Sequence, residues 1–353
     1  MAKLSEPIYP WERSYKRNLE HPSQTRLDTL LAFVRDAPGI LPYAKSTGWW
    51  IPSHGSKYAD CSVVKAKGCV NASAHPDGKV LIRYYKRSCM RKTCPVCFES
   101  WAAAEAERSL IRLASSVVGS ARVASLISRL KKESAKERPE VFHKALVFEL
   151  EAILRSAKPI HVLVSPPTDT PMDKASYPGM RTLGYKNAKN CGLFGGQSIF
   201  HPYRLHCQKC NVAIPDYQNA CSKCGGSNFW WVSSPHFHMV GFGWIRHAAE
   251  NYQRTGWIVR NLGVRQSVFW TLQYLLSHAG VYVDPDRYER KTFHTTTWFG
   301  DLSYNKLKEV PQLNSPREIC RYCGQLLRPL RWLGGTDRGP PDFDEEDGEK
   351  NEF

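Results

Sequence analysis

Apolar positions change period several times along the chain, and each change marks a predicted element. Leu27, Leu30, Leu31 and Val34 share a helical face and predict an accessory helix in the N-terminal segment, residues 1–50. Residues 51–98 place the strand-like run Lys79–Tyr85 among cysteines, the pattern of a Cys-rich zinc-binding module built on a stapled hairpin. Residues 99–155 turn rich in Ala, Glu, Arg and Leu at helical spacing, with breaks near Gly119 and Pro139, so at least two helices are expected, with a charged surface segment over Lys131–Arg138. Pro159–Pro167 is a short apolar run closed by prolines, which predicts a buried strand carrying His161. Further strands are expected at Gln197–Phe200, Phe229–Phe242 and Phe293–Trp298, and a helix at Gln266–His278 that Gly280 could cap. Residues 156–310 therefore read as an α+β domain interrupted by a Cys-rich insertion at 204–229. Residues 311–333 carry a last Cys-x-x-Cys pair. The Gly-, Pro-, Asp- and Glu-rich residues 334–353 predict a disordered acidic tail.

Charge sharpens this picture. The formal net charge is +16, and the last twenty residues hold eight acidic and two basic side chains, so the preceding 333 carry +22. A surplus of that size on the folded part predicts a polyanionic partner, nucleic acid first. Basic and aromatic residues interleave at Arg83–Arg87 and Arg328–Trp332, a pattern that suits single-strand binding by base stacking and phosphate contact, or equally an amphipathic element with its rings in the core.

Twelve cysteines fit either disulfides in a secreted protein or metal ligands in a reduced compartment. Met1–Pro7 lacks the apolar core of a signal peptide and no stretch has the length of a membrane span, so a cytoplasmic chain with no membrane partner is expected. In that setting Cys-x-x-Cys pairs favour tetrahedral zinc. Cys207-x2-Cys210-x10-Cys221-x2-Cys224 predicts a zinc ribbon. A second zinc must draw four ligands from Cys61, Cys69, Cys89, Cys94 and Cys97, with the surplus thiol unassigned. Cys320 and Cys323 form a lone knuckle whose partners the sequence does not show, either half of a further zinc site or a free pair, and Cys191 reads as unliganded.

The remaining chemistry lies in Ser234–Val240. His236 and His238 alternate with apolar residues, so both project from one face of a strand and can chelate one divalent cation while Phe237 and Met239 enter a core; the same alternation also suits an ordinary half-buried sheet face. In the 266–278 helix Phe269, Leu272, Leu276 and Ala279 form an apolar stripe. Ser267, Thr271, Tyr274 and His278 fall on another face, where a phenol and an imidazole one turn apart could meet a cleft or pack as a core pair.

In this order, the His161 strand, the His-Phe-His strand and the tyrosine helix resemble the three motifs of the HUH endonuclease superfamily. Phe200–Arg204, Tyr274–Gly280 and Thr295–Tyr304 are similar to archaeal plasmid and virus Rep proteins, the likeness covering about residues 60–325. The resemblance implies an α+β fold with a five-stranded antiparallel sheet, Mg or Mn held by His236 and His238, and Tyr274 as the nucleophile that nicks and rejoins single-stranded DNA at a replication origin. Host replication proteins would be partners. The chain departs from many relatives in lacking a lysine after the tyrosine. His278 stands at the comparable place, as a metal ligand or as a group acting on the tyrosine, and His201 rivals it as third ligand. HUH transposases share the chemistry, and a non-catalytic zinc-ribbon DNA-binding protein is the alternative from another class. No phosphate-binding Gly-x4-Gly-Lys-Ser/Thr loop is present, so unwinding would fall to a separate motor.

Overall fold

The computed structural model describes residues 48–53, 55, 57, 61–137, 139–214, 220–282, 295–313 and 318–330. The helix expected at 27–34 and the tail 334–353 lie outside them, as do Arg331 and Trp332. In chain order the elements are β1 (Trp49–Trp50), β2 (Val64–Cys69), β3 (Leu81–Lys86), α1 (Phe98–Val118), α2 (Ser120–Glu133), α3 (Pro139–Ala157), β4 (Ile160–Ser165), α4 (Tyr177–Asn190) and β5 (Leu193–Cys207). There follow β6 (Phe229–Gly243), α5 (Ala248–Thr255), β7 (Ile258–Val264), α6 (Val268–Ser277), β8 (Val281–Tyr282), β9 (Thr296–Gly300) and β10 (Arg328–Leu330).

The fold is α+β with antiparallel sheets. Its centre is a five-stranded sheet in the order β7-β4-β6-β5-β9, with β6 in the middle. Both faces are covered. Phe200, Phe237, Met239 and Val162 pack with Tyr177 and Met180 of α4 and with Trp49, whose ring meets Phe200 at 4.8 Å between centroids. Each such fully buried aromatic or aliphatic side chain contributes about 1.5–3 kcal/mol. On the other face Ile199, Val240 and Trp298 pack beneath α6 and the bundle α1–α3. Residues 99–155, read from the sequence as a segment of their own, thus share a core with the sheet. They form three helices: Gly119 with φ +86° closes the first and starts the second, the second ends at Glu133, and Pro139 opens the third.

The sequence placed β4 and β6 to within a residue or two. It found only four of the fifteen residues of β5, whose pairing with β6 runs out to the cysteine insertion, and it missed α4, α5 and β7. The His-x-His strand is long because the ladder continues from Leu193↔Gly243 to Cys207↔Phe229, so the Cys-rich insertion grows directly from the far end of β5 and β6.

A second, three-stranded sheet has the order β10-β2-β3. The C-terminal Cys-x-x-Cys segment, whose partners the sequence does not show, is joined through β10 to the Cys-rich hairpin and brings Cys323 to Cys69 across 254 residues. Among the described residues no helix is long and apolar enough to cross a membrane.

Candidate functional site

On β6 the alternation sends Phe237 and Met239 into one core and His236, His238 and Val240 to the opposite face. His201 of β5 stands across from His236. The three imidazoles of His201, His236 and His238 bring one nitrogen each within 4.8 Å of one another. Their ring centroids lie 4.6 Å (His201–His238), 5.0 Å (His236–His238) and 5.3 Å (His201–His236) apart.

Hydrogen bonds orient these rings. His236 Nδ1 lies 2.6 Å from the carbonyl of Ser234, and His201 Nε2 lies 2.9 Å from that of Leu275. A carbonyl only accepts, so each of these nitrogens carries the proton and the opposite nitrogen of each ring is the lone-pair side. His161 Nε2 lies 2.7 Å from His238 Nδ1, so a metal on His238 Nε2 requires His238 to donate and His161 to accept. His161, which the sequence offered as part of a motif strand with no role of its own, is thus an orienting partner. Burial holds all four rings neutral: His161 and His236 are lowered to about 3, and His201 and His238 lie well below the ordinary histidine value, burial being aided by Arg265 at His161, by Arg204 at His236 and His238, and by neighbouring imidazoles at His201 and His238. Neutral imidazole is the form that binds a cation.

Just past the histidine pair the ladder slips. Between His201↔His236 and Tyr203↔Ser233, β6 has two residues where β5 has one, and Pro202 and Pro235 lie in this stretch, unable to donate ladder bonds. The alternation changes phase there. Phe200 and Tyr203 both enter the core shared with α4, while His201 and Arg204 both face the histidines. Arg204 donates from Nη2 to Ser165 Oγ at 3.1 Å and places Nε 3.4 Å from His236 Nδ1. In the sequence Arg204 stands out only as the last residue of the Phe200–Arg204 motif. A phase change of this kind has no signal beyond the two prolines.

Helix α6 is capped at its start by Ser267, whose side chain accepts from Trp270 N, and the carboxylate of Glu151 on α3 accepts from Phe269 N at 2.6 Å. It ends at Ser277 with His278 as its cap, two residues before Gly280. Gly280 serves otherwise than as the expected cap. Its N–H donates to Phe200 O at 2.6 Å, and a Cβ there would lie 2.9 Å from Pro202 Cδ, so glycine permits the end of α6 to dock on β5 beside His201. Two carbonyls of the last turn accept from imidazoles: Tyr274 O from His278 Nδ1 at 2.9 Å, and Leu275 O from His201. The His278 ring lies 4.9 Å from that of Tyr274 and 6.4 Å from that of His201, which puts the half-exposed phenol and the three-histidine group on one continuous run of rings. Thr271, expected to share the Tyr274 face, is buried and donates to Ser267 O within the helix.

The cysteines fall into three groups that could hold zinc. Cys207, Cys210, Cys221 and Cys224 form the expected ribbon, with Sγ pairs at 3.4 and 3.5 Å. The second group is Cys61, Cys89, Cys94 and Cys97, where β3 leads into α1. Cys69 is therefore the surplus thiol of the five, and it lies at the other end of the hairpin with His75, Cys320 and Cys323. His75 was missed. Its only sequence signal is a histidine six residues after Cys69 in a turn-rich stretch. Cys191 is buried and joins none of these groups. In the basic-aromatic run 83–87, Arg83 is buried and pairs with Glu318 at 3.6 Å, a structural contact.

No family model matches this chain, and neither does any curated protein or solved structure.

Proposed function

We propose that the chain is a metal-dependent tyrosine DNA nuclease and strand transferase of the HUH superfamily, which starts and ends rolling-circle replication of a plasmid or virus by nicking and rejoining single-stranded origin DNA. One observation carries this reading. Three neutral, oriented imidazoles converge on one face of a five-stranded antiparallel sheet, against the last turn of the helix that bears Tyr274.

The donor set fits a divalent ion held by His201, His236 and His238. Three nitrogens suit Mn²⁺ better than Mg²⁺, which favours oxygen ligands. Such an ion, when bound, polarises the scissile phosphate and offsets charge on its oxygens. The phenolic oxygen of Tyr274 attacks phosphorus, forming the new O–P bond as the bond to the 3′ oxygen breaks. With His278 Nδ1 donating to Tyr274 O, Nε2 is the basic nitrogen of that ring and can take the phenol proton. Arg204, beside His236, is placed to receive a phosphate oxygen. One phosphodiester replaces another, so the 5′-phosphotyrosine bond stores what a returning 3′-hydroxyl needs to close the strand, without a nucleotide. The released 3′-hydroxyl can meanwhile prime a polymerase among host replication proteins.

The test is Tyr274→Phe. Single-stranded oligonucleotides incubated with the unmutated protein and Mn²⁺ are expected to give a covalent adduct that survives denaturing electrophoresis, absent in the variant while DNA binding is retained. No adduct from the unmutated protein would leave a zinc-ribbon DNA-binding protein as the better reading. Joining of captured strands to a second, unrelated DNA would favour an HUH transposase.

A further inference from the structure

We propose that Cys69, His75, Cys320 and Cys323 form a zinc site of their own, a clasp that fastens residues 318–330 to the hairpin of β2 and β3. The four ligand atoms lie within 4.8 Å of one another, with Cys69 Sγ 3.5 Å from Cys323 Sγ and Cys320 Sγ 3.2 Å from His75 Nε2. His75 Nδ1 lies 2.6 Å from Lys79 O, which only accepts, so Nδ1 carries the proton and Nε2 turns its lone pair toward the thiols. His75 is buried, and its ring stacks at a tilt on Tyr322 at 5.0 Å.

The backbone around Cys320 repeats that of the zinc ribbon. Gly324 has φ +72° and donates to Cys320 O at 2.9 Å; Gly225, with φ +68°, donates to Cys221 O at 2.8 Å, and Asn211, with φ +53°, to Cys207 O at 2.9 Å. The same tight knuckle, turning a second thiol back beside the first, thus recurs at all three places.

Little else holds this segment. Among the described residues its apolar cluster holds Leu81 and Leu327 with three thiols, while Val70, Ile82 and Leu326 are exposed. β10 has three residues, and Pro329 in its middle donates no ladder bond. Glu318 adds ion pairs to Lys67 and Arg83. Two leucines and a three-residue strand do not offset the ordering of thirteen residues returned from the far end of the chain. A bound metal does. A Cys69–Cys323 disulfide would leave the oriented His75 ring and the Cys320 thiol without purpose, whereas a tetrahedral ion employs all four.

Elemental analysis of the full chain tests this. His75→Ala and Cys320→Ser are each expected to carry one zinc fewer than the unmutated protein, and Cys191→Ser the same number. His75→Cys should restore the zinc lost in His75→Ala, and after cobalt exchange its visible spectrum should shift toward the all-thiolate form. The proposal is overturned if His75→Ala keeps the full zinc content, if His75→Cys leaves the cobalt spectrum unchanged, or if mass spectrometry of the unreduced protein finds Cys69 bonded to Cys323. None of these readouts depends on DNA cleavage.

Discussion

His161 and His238 face each other across neighbouring strands, Nε2 to Nδ1 at 2.7 Å, so one strand of the sheet sets the tautomer of a histidine on the next. His161→Phe removes that acceptor. Divalent-ion affinity at the three-histidine group is expected to fall about 10–100-fold, the usual effect of losing an orienting partner. Manganese titration followed by electron paramagnetic resonance measures it, and an unchanged affinity would separate His161 from the site.

Arg204 is brought to the histidines by the phase change at Pro202 and Pro235. Loss of a charged hydrogen bond to phosphate is worth about 1.5–3 kcal/mol, so Arg204→Met is expected to lower the rate of adduct formation by about 10–100-fold. Arg204→Lys should recover only part, because a point charge does not reproduce the fork. Single-turnover cleavage assays with both variants provide the comparison.

Gly280→Ala forces a methyl group against Pro202 and Phe200, at 2.9 Å from a ring carbon and 3.1 Å from an aromatic one. The end of α6 must move off β5, at a cost of about 1–3 kcal/mol. Thermal unfolding should show a lower Tm. Tyr274 adduct yield should fall more than the loss of folded protein explains, since the shift is local to the site.

Glu151 caps α6 through Phe269 N and Ser267 Oγ, and burial raises its pKa above the ordinary 4.5 despite those bonds. The folded state therefore keeps its proton to higher pH than the unfolded one. This contribution is fully present below the unfolded value and is lost as pH rises through the folded one. Glu151→Gln keeps an acceptor for the cap but cannot ionise, so its stability relative to the unmutated protein should improve as pH rises above about 4.5, the unfolded reference value. Denaturant unfolding at pH 4 and pH 8 tests the sign. The opposite trend would mean that the carboxylate is stabilised where it lies.

What the chain's order alone determined is what depends on neighbours in sequence. Alternation in Ser234–Val240 put His236 and His238 on one face because a strand has period two, and the Cys-x-x-Cys spacings defined the ribbon because only two residues separate the thiols of each knuckle. Helical period likewise put Phe269, Leu272 and Leu276 in the core and left Tyr274 partly exposed. The tertiary structure decided everything that needed distant segments to meet. It singled out Cys69 as the thiol left over from the Cys61, Cys89, Cys94 and Cys97 group, brought it with His75 to Cys320 and Cys323, turned Arg204 toward the histidines at the ladder slip, and set His161 and Leu275 as their orienting partners. The reason is chain closure: a ligand pair within one turn is fixed by local geometry, whereas a contact across 245 residues, such as Cys320 with His75, follows only once the intervening sheet and helices have packed.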